Sequence, residues 1–263
     1  MYYYLYDTFL ADKKYEKAID RIKTRLLDLD IQCKHEKLTL LKSIDELVGD
    51  EAKKGFTTII AVGNDKTFLK LVDAVAKNGL TMGIIPMGEE NNLSACLGIP
   101  AEDAACDVIA ARKIAKFDLG KINNSYFFSS LKINKNLDRL TVEKDNYKIR
   151  PRPECAEVDV YNFYFPAGLE NFERPLKKYS AQDQRLELVI RARKKERRWF
   201  FRKKEGAPKI DSIIQSETFA IKSFEYLPIL LDDFKIMKTP VTVKIEPLLL
   251  KVIVGKNRLK TIK

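Results

Sequence analysis

The sequence predicts an α/β fold in two parts, a parallel-sheet, Rossmann-like domain over residues 1–121 and an antiparallel, β-sandwich-like domain over residues 122–263. Three observations carry this. Strand-like and helix-like periodicities alternate as far as Leu119, the pattern of a parallel sheet wrapped by helices. Past Gly120 the texture changes to short alternating runs separated by loops rich in Pro, Lys and Asn, as in antiparallel sheets. Charge divides at the same place: residues 1–124 hold 18 Lys+Arg and 19 Asp+Glu, whereas residues 125–263 hold 30 and 18.

Taken in order, Tyr2–Tyr6 (YYYLY) reads as a strand, and over residues 14–30 the apolar Ala18, Ile19, Ile22, Leu26 and Leu27 recur at helical spacing. A second strand is expected over residues 31–35. Ser43, with Glu46 three residues on, has the form of a capping box and starts a helix ending at Gly55. Residues 57–62 form the next strand, followed by a helix over 66–77 closed by Asn78 and Gly79, and a strand at MGIIPMG. A helix opening at Asn91 or Asn92, another over 101–113 and a strand over 115–119 complete the first domain. In the second, SYFFSSLKI, DRLTVEK, YKIRP, EVDVYNFYF, RLELVIRAR, ETFAIKSF, TPVTVKIEP and LKVIVG are the strand candidates.

With 263 residues, 45% of them hydrophobic, the chain can bury a core without cross-links. Cys33, Cys96, Cys106 and Cys155 lie far apart with no C-x-x-C pair, which indicates neither a zinc site nor a disulfide framework and suits a reducing compartment. The opening MYYYLYDTFLADKK is too short to span a bilayer and lacks the marks of a signal peptide, and no later apolar run approaches ~18 residues. The expected location is cytoplasmic, at most peripheral at the inner membrane face.

Residues 59–67, IIAVGNDKT, end a buried run in a Gly, a carboxylate and a hydroxyl just before a helix, which is where a parallel-sheet protein holds phosphate on backbone N–H groups. Only Gly63 is bare here. Lys66 is ambiguous, since its ammonium can pair with phosphate while its stem crowds the approach. A second turn, Pro86 to Asn92, carries Glu89 and Glu90, which repel a polyanion unless a metal or cationic group sits between. On these features alone, two ordinary polar loops explain the sequence as well.

The spacing adds a resemblance. IIAVGNDKTFLKLVDAV followed by MGIIPMGEENNLSACLGIP resembles the catalytic domain of the diacylglycerol kinase family, whose sites read G-G-D-G-T and P-L-G-T-G-N-D-F-A-R-A-L-G-I-P. Residues 86–100 match the second in ungapped register, keeping Pro86, Gly88, Asn91, Leu97, Gly98, Ile99 and Pro100. FDLGKIN, YSAQDQRLELVI and LDDFKIMKTPVTV resemble later segments in the family's order, the last two matching A-x-x-D-G-x-L-D and D-G-E-P-L-x-x-T-P. The resemblance implies an ATP- and Mg2+-dependent kinase acting on a lipid or small-molecule hydroxyl. It places Gly63, Asn64, Asp65, Lys66, Thr67, Gly88, Glu89, Glu90 and Asn91 around the nucleotide, Asp65 and Asp118 in the metal network, and Asp65 and Asp232 in catalytic roles.

The chain also departs from that pattern. The aspartate of the second motif is Asn92, its threonine and glycine are Glu89 and Glu90, its arginine is Ala95, and the early Asn-Pro-x-x-Gly segment has become residues 6–10. Gln184 replaces a glycine. The late glutamate is Phe234, which takes no proton, so general-base help worth ~10²- to 10⁴-fold is missing unless Asp232 or Asp233 substitutes. The alternative expectation is therefore a catalytically inactive relative that binds membrane, nucleotide or a partner. RARKKERRWFFRKK, with Arg193, Lys194, Arg197, Arg198, Trp199, Phe200 and Arg202, suits an anionic membrane surface. It equally suits a solvated hairpin with inward aromatics, while nucleic acid is disfavoured because no recognised binding motif accompanies the charge. His35 reads as a surface strand residue and Cys96 as core.

Overall fold

The structure, a computed structural model, describes residues 1–39, 42–164, 180–192 and 208–259. Its elements are β1 (Tyr2–Tyr6), α1 (Glu16–Asp28), β2 (Cys33–Lys37), α2 (Ile44–Lys53), β3 (Thr58–Gly63), α3 (Asp65–Lys77), β4 (Thr81–Pro86), α4 (Asn92–Cys96), α5 (Ala105–Ala111) and β5 (Ile114–Ile122). Then follow β6 (Ser125–Phe127), β7 (Ser130–Ile133), β8 (Leu140–Lys144), β9 (Tyr147–Ile149), β10 (Cys155–Tyr161) and β11 (Leu186–Ala192). Last come β12 (Lys209–Ser216), β13 (Thr218–Ser223), β14 (Pro228–Leu231), β15 (Lys235–Lys238) and β16 (Val241–Ile253). This is the α/β arrangement with a separate antiparallel part that the sequence predicts. By contact the chain divides into two units, one built on residues 1–119 with 180–183 and 247–259, the other on 120–163 with the described residues of 184–246. The sequence-based division at 121/122 treats each part as one run, whereas the last strand returns to the first unit halfway along its length.

In the first unit β2, β1, β3, β4 and the end of β16 lie side by side and parallel. Every residue of β3 and β4 is buried, which is why IIAV carries no polar alternation. Each such Ile or Val contributes about 1.5–3 kcal/mol on leaving water. Helix α1 buries Ala18, Ile22 and Leu26, while Leu27, part of the expected stripe, stands in solvent. Ser43 sits at the N-cap of α2 but makes no side-chain capping bond, so the box expected with Glu46 does not form. The helix expected over residues 101–113 opens as a tighter 3-10 turn, Glu102–Ala104, and its α-helical part stops at Ala111.

In the second unit β13 lies between β8 and the start of β16, and β12, β11, β10, β7, β14 and β15 form a six-stranded antiparallel sheet. Val142, Phe219, Ile221 and Val243 from the first set share one core with Leu131, Val160, Leu188 and Ile229 from the second, the interleaving of a sandwich. The runs TPVTVKIEP and LKVIVG are one thirteen-residue strand, β16, bent where Pro247 meets Leu248 at φ +50°.

Candidate functional site

The turn from β3 into α3 is built by sterics and capping. A Cβ on Gly63 would lie 2.3 Å from the Thr67 hydroxyl oxygen, so only glycine fits. Asn64 is the N-cap of α3, and its side-chain oxygen accepts from the N–H groups of Lys66 (3.1 Å) and Thr67 (3.3 Å). The Thr67 hydroxyl accepts from the Asn64 N–H at 3.1 Å and donates to Asp7 Oδ2 at 2.7 Å. The Asp65 N–H donates to the Glu90 carbonyl at 3.1 Å. All four N–H groups from Asn64 to Thr67 thus have acceptors within the protein.

The second turn folds against the first. Met87 N–H donates to the Gly63 carbonyl at 2.8 Å, and the Lys66 ammonium pairs with the Glu90 carboxylate at 2.7 Å. Gly88 has φ +72°, and a Cβ there would come within 3.1 Å of the Phe9 ring and 3.2 Å of the Tyr15 hydroxyl. Asn91 donates its side-chain N–H to the Gly88 carbonyl at 2.8 Å, and Glu89 is exposed beside it. Buried Asp65 reaches across to α4, accepting from the N–H groups of Leu93 (2.9 Å) and Ser94 (3.4 Å). Burial lifts its carboxyl to about 6; the amides of Leu93, Ser94 and Asn92 pull it down and the Glu90 charge pushes it up.

The other expected acids are held elsewhere. Asp118, wholly buried on β5, accepts at Oδ1 from the Leu248 N–H at 2.8 Å and so satisfies the amide at the bend of β16. Asp232 belongs to the second unit, in the turn from β14 to β15. Its carboxylate accepts from the N–H groups of Phe128 (2.8 Å), Ser129 (2.8 Å) and Ser130 (3.0 Å). Burial nevertheless raises it to about 7 against those amides. Asp233 pairs with Lys132 at 2.7 Å. Arg193, Lys194, Arg197, Arg198, Trp199, Phe200 and Arg202 lie outside the described residues.

Sequence reasoning missed Asp7, Phe9 and Tyr15. The cue was available in residues 6–10, which depart from the resemblance where the structure brings Asp7 against Thr67. Burial pushes the Asp7 carboxyl up, but the Thr67 hydroxyl, the Lys70 ammonium, the Thr8 hydroxyl and the Phe9 amide outweigh it and hold the group below its usual range. Asp7 also lines a cavity of about 740 Å³ together with Tyr6, Thr8, Leu10, Lys13, His35 and Leu38. His35, an exposed strand residue as expected, contacts the Tyr6 hydroxyl through Nδ1 at 2.9 Å; burial and then Lys23 hold its pKa below the usual value.

A magnesium nucleotide asks for unspent amides and carboxylates facing the phosphates. Here the amides are accepted internally, Asp65 and Asp118 bind backbone N–H groups, and Lys66 faces a carboxylate. Among the described residues no group of three His, Cys, Asp or Glu could hold a metal ion. The residues do not fit that ligand as they stand. Two buried oxygens nearby, Asn91 Oδ1 and Ser94 Oγ, lack hydrogen-bond partners.

The family model for the diacylglycerol kinase catalytic domain matches residues 3–122. Over residues 3–122 this chain is therefore similar to the diacylglycerol kinase catalytic-domain family. A diacylglycerol kinase of Staphylococcus haemolyticus is 39% identical over 80 residues, 29% of this chain and 24% of that protein. One of Bacillus subtilis is 36% identical over 84 residues, 30% of this chain and 28% of the other, so these matches span about a quarter of the relatives' length. The fold likeness is wider. A crystal structure described as a diacylglycerol kinase from Bacillus anthracis superposes with a TM-score of 0.77 at 17% identity, covering 98% of both chains. A second, a putative diacylglycerol kinase from the same organism, gives 0.78 at 16% identity, again covering 98% of each.

Against the diacylglycerol kinase motifs one regularity stands out. Glu90, Gln184 and Asp233 each occupy a position where the motif has glycine, and each keeps a left-handed backbone, with φ of +61°, +60° and +61°. At all three the main chain takes the left-handed conformation that glycine adopts most readily.

Proposed function

We propose that this chain is a diacylglycerol-kinase-fold protein that does not transfer phosphate, its nucleotide loops closed on themselves and its role one of binding. The observation that carries this reading is the internal satisfaction of the four N–H groups from Asn64 to Thr67, with the Lys66–Glu90 pair across them. Phosphoryl transfer draws on positioning and charge neutralisation, and donors engaged by the protein itself supply neither. The acceptor side points the same way. Phe234 offers no base, and the oxygens of Asp232 are held by three amides. The test is a thermal-shift titration with ATP and Mg2+, followed by ADP release in the presence of mixed lipid acceptors. A nucleotide at ~100 times its Kd adds ~2.7 kcal/mol of stability. We expect no shift and no ADP; turnover abolished by Asp65→Asn would overturn the proposal.

A second reading, an ATP- and Mg2+-dependent kinase for a lipid or lipid-like hydroxyl, is favoured by the unpartnered Asn91 and Ser94 oxygens and by the retention of Asp65, Thr67 and Asp118. It requires a phosphate to displace Glu90 from Lys66. A stabilising shift by ATP without turnover would overturn the closed-loop part of the first reading and leave a nucleotide-binding protein that does not transfer phosphate.

A further inference from the structure

In the second unit two β-bulges flank β11 beside Arg191. On one side the pairing slips between Cys155 and Glu157, leaving Ala156 with no opposite residue; on the other, Ser212 and Ile210 face Ile190 and Arg191, leaving Asp211 over. A bulge re-aims the side chains around it. Here Cys155 and Ile214 pack against the sandwich core with Ile149 and Ile190, and these four, with Asp211 and Ser212, line a cavity of about 390 Å³. Its rim comes from Arg150-Pro151-Arg152-Pro153 in the turn from β9 to β10. Each arginine precedes a proline, which biases it to extended backbone, and two residues apart on extended chain their side chains leave on one side. Arg152 also opens a β-turn with Pro153 at its second position, closed by the Cys155 N–H on the Arg152 carbonyl at 2.9 Å.

The charges of this cavity are not spent on each other. Lys132, Arg139 and Lys222 of the same unit pair with Asp233, Glu225 and Glu143, whereas Arg150 and Arg152 have no carboxylate within ion-pair distance among the described residues. Asp211 forms no ion pair there either, its Oδ2 accepting from the Ser212 hydroxyl at 3.0 Å. With Glu154 the lining holds two guanidinium groups and two carboxylates. A simple anion would face two acids and a simple cation two arginines, so the charge pattern suits a ligand that carries both signs. The arginine fork takes a carboxylate through paired hydrogen bonds, and the proline-stiffened segment leaves little backbone freedom to lose on binding. Below the charged rim the floor is aliphatic, which calls for an apolar group attached close to the zwitterion.

We propose that this end of the sandwich binds an α-amino acid with a large apolar side chain. Arg150 and Arg152 hold its carboxylate, Asp211 and the Ser212 hydroxyl its ammonium, and Ile149, Ile190 and Ile214 its side chain. The site lies at the Cys155 end of β10, about 20 Å along the strand from the Tyr161 end, where Ser130 and Asp232 meet. It does not depend on the state of the nucleotide loops. The test is isothermal titration of the full chain with L-phenylalanine and L-leucine, each against its analogue lacking the amine, 3-phenylpropionate and 4-methylpentanoate. At least one amino acid is expected to bind, about tenfold more tightly than its analogue. Arg152→Gln should weaken that binding about tenfold, and Asp211→Asn should remove the preference over the analogue. The altered side chains are exposed, and unchanged melting of each variant in buffer checks the fold. No binding of either amino acid at about 10 mM, equal affinity for the analogues, full binding by Arg150→Gln with Arg152→Gln, or tighter binding of phosphoethanolamine would each overturn the proposal.

Discussion

At the end of β3 the N–H groups, carboxylates and ammonium that would meet a ligand meet each other; in the β13–β14 loop two large aromatic side chains, Phe224 and Tyr226, stand largely in water. The first region is stable as it stands, and a ligand there has to compete with bonds already made. The second has surface still to bury, and a partner there gains by contact alone. Both regions adjoin segments of the resemblance, since LDDFKIMKTPVTV spans the β14–β15 turn, and of the two the second has the apolar surface left to bury.

The comparison is tested most severely through Asp232. Asp232→Ala leaves the buried N–H groups of Phe128 and Ser130 and the half-buried one of Ser129 without their carboxylate acceptor and should cost about 3 kcal/mol in urea unfolding at neutral pH. A cost near zero would mean that the carboxylate is held for chemistry and not for the turn. Gly63→Ala comes next, at about 2 kcal/mol, because the added carbon drives into Thr67 and opens the capping box and its bond to Asp7.

Acidity gives a smaller effect with a definite sign. Asp65 and Asp232 are raised from 3.8 to about 6 and about 7, so the folded state holds their protons more tightly than the unfolded state. Their contribution is complete below about 3.8 and lost as pH rises through about 7. Melting temperature should therefore climb as buffer pH falls from about 8 to about 5. Asp232→Asn should flatten that slope; an unchanged slope would place its origin elsewhere.

Smallest in stability, but most informative for the loops, is Lys66→Gly with Glu90→Gly. An exposed ion pair contributes at most about 1 kcal/mol, and relief of the strained φ at residue 90 offsets part of it. Melting should hardly move, while inorganic pyrophosphate with Mg2+ should now stabilise the variant where it leaves the wild-type chain unaffected. No gain would show that Asn64 and Phe9 close the site without the ion pair.

The first unit was legible because its periods are local: four apolar residues at IIAV mark a buried strand, and NDKT marks the helix start that follows. Capping was legible in form but not in place, since Ser43 and Glu46 have the box sequence and Asn64 and Thr67 make the box. What stayed hidden was long-range. Nothing near Asp118 announces that its partner is the amide of Leu248, 130 residues on, and nothing near Asp232 points back to Phe128. Asp118 invites a metal-ligand reading in sequence and Asp232 a catalytic one, because a carboxylate bound to backbone amides is spelled the same way as one bound to metal or substrate. The single strand β16 was split in two by its Pro247–Leu248 bend.

The left-handed conformations at Glu90, Gln184 and Asp233 have a practical consequence. A side chain there is tolerated at a cost of about 1 kcal/mol or more, and the chain path is already the one glycine prefers. Glycine at these three positions would relax the protein without redirecting its fold, so an attempt to engineer the two turns can begin with substitutions that make the scaffold sturdier.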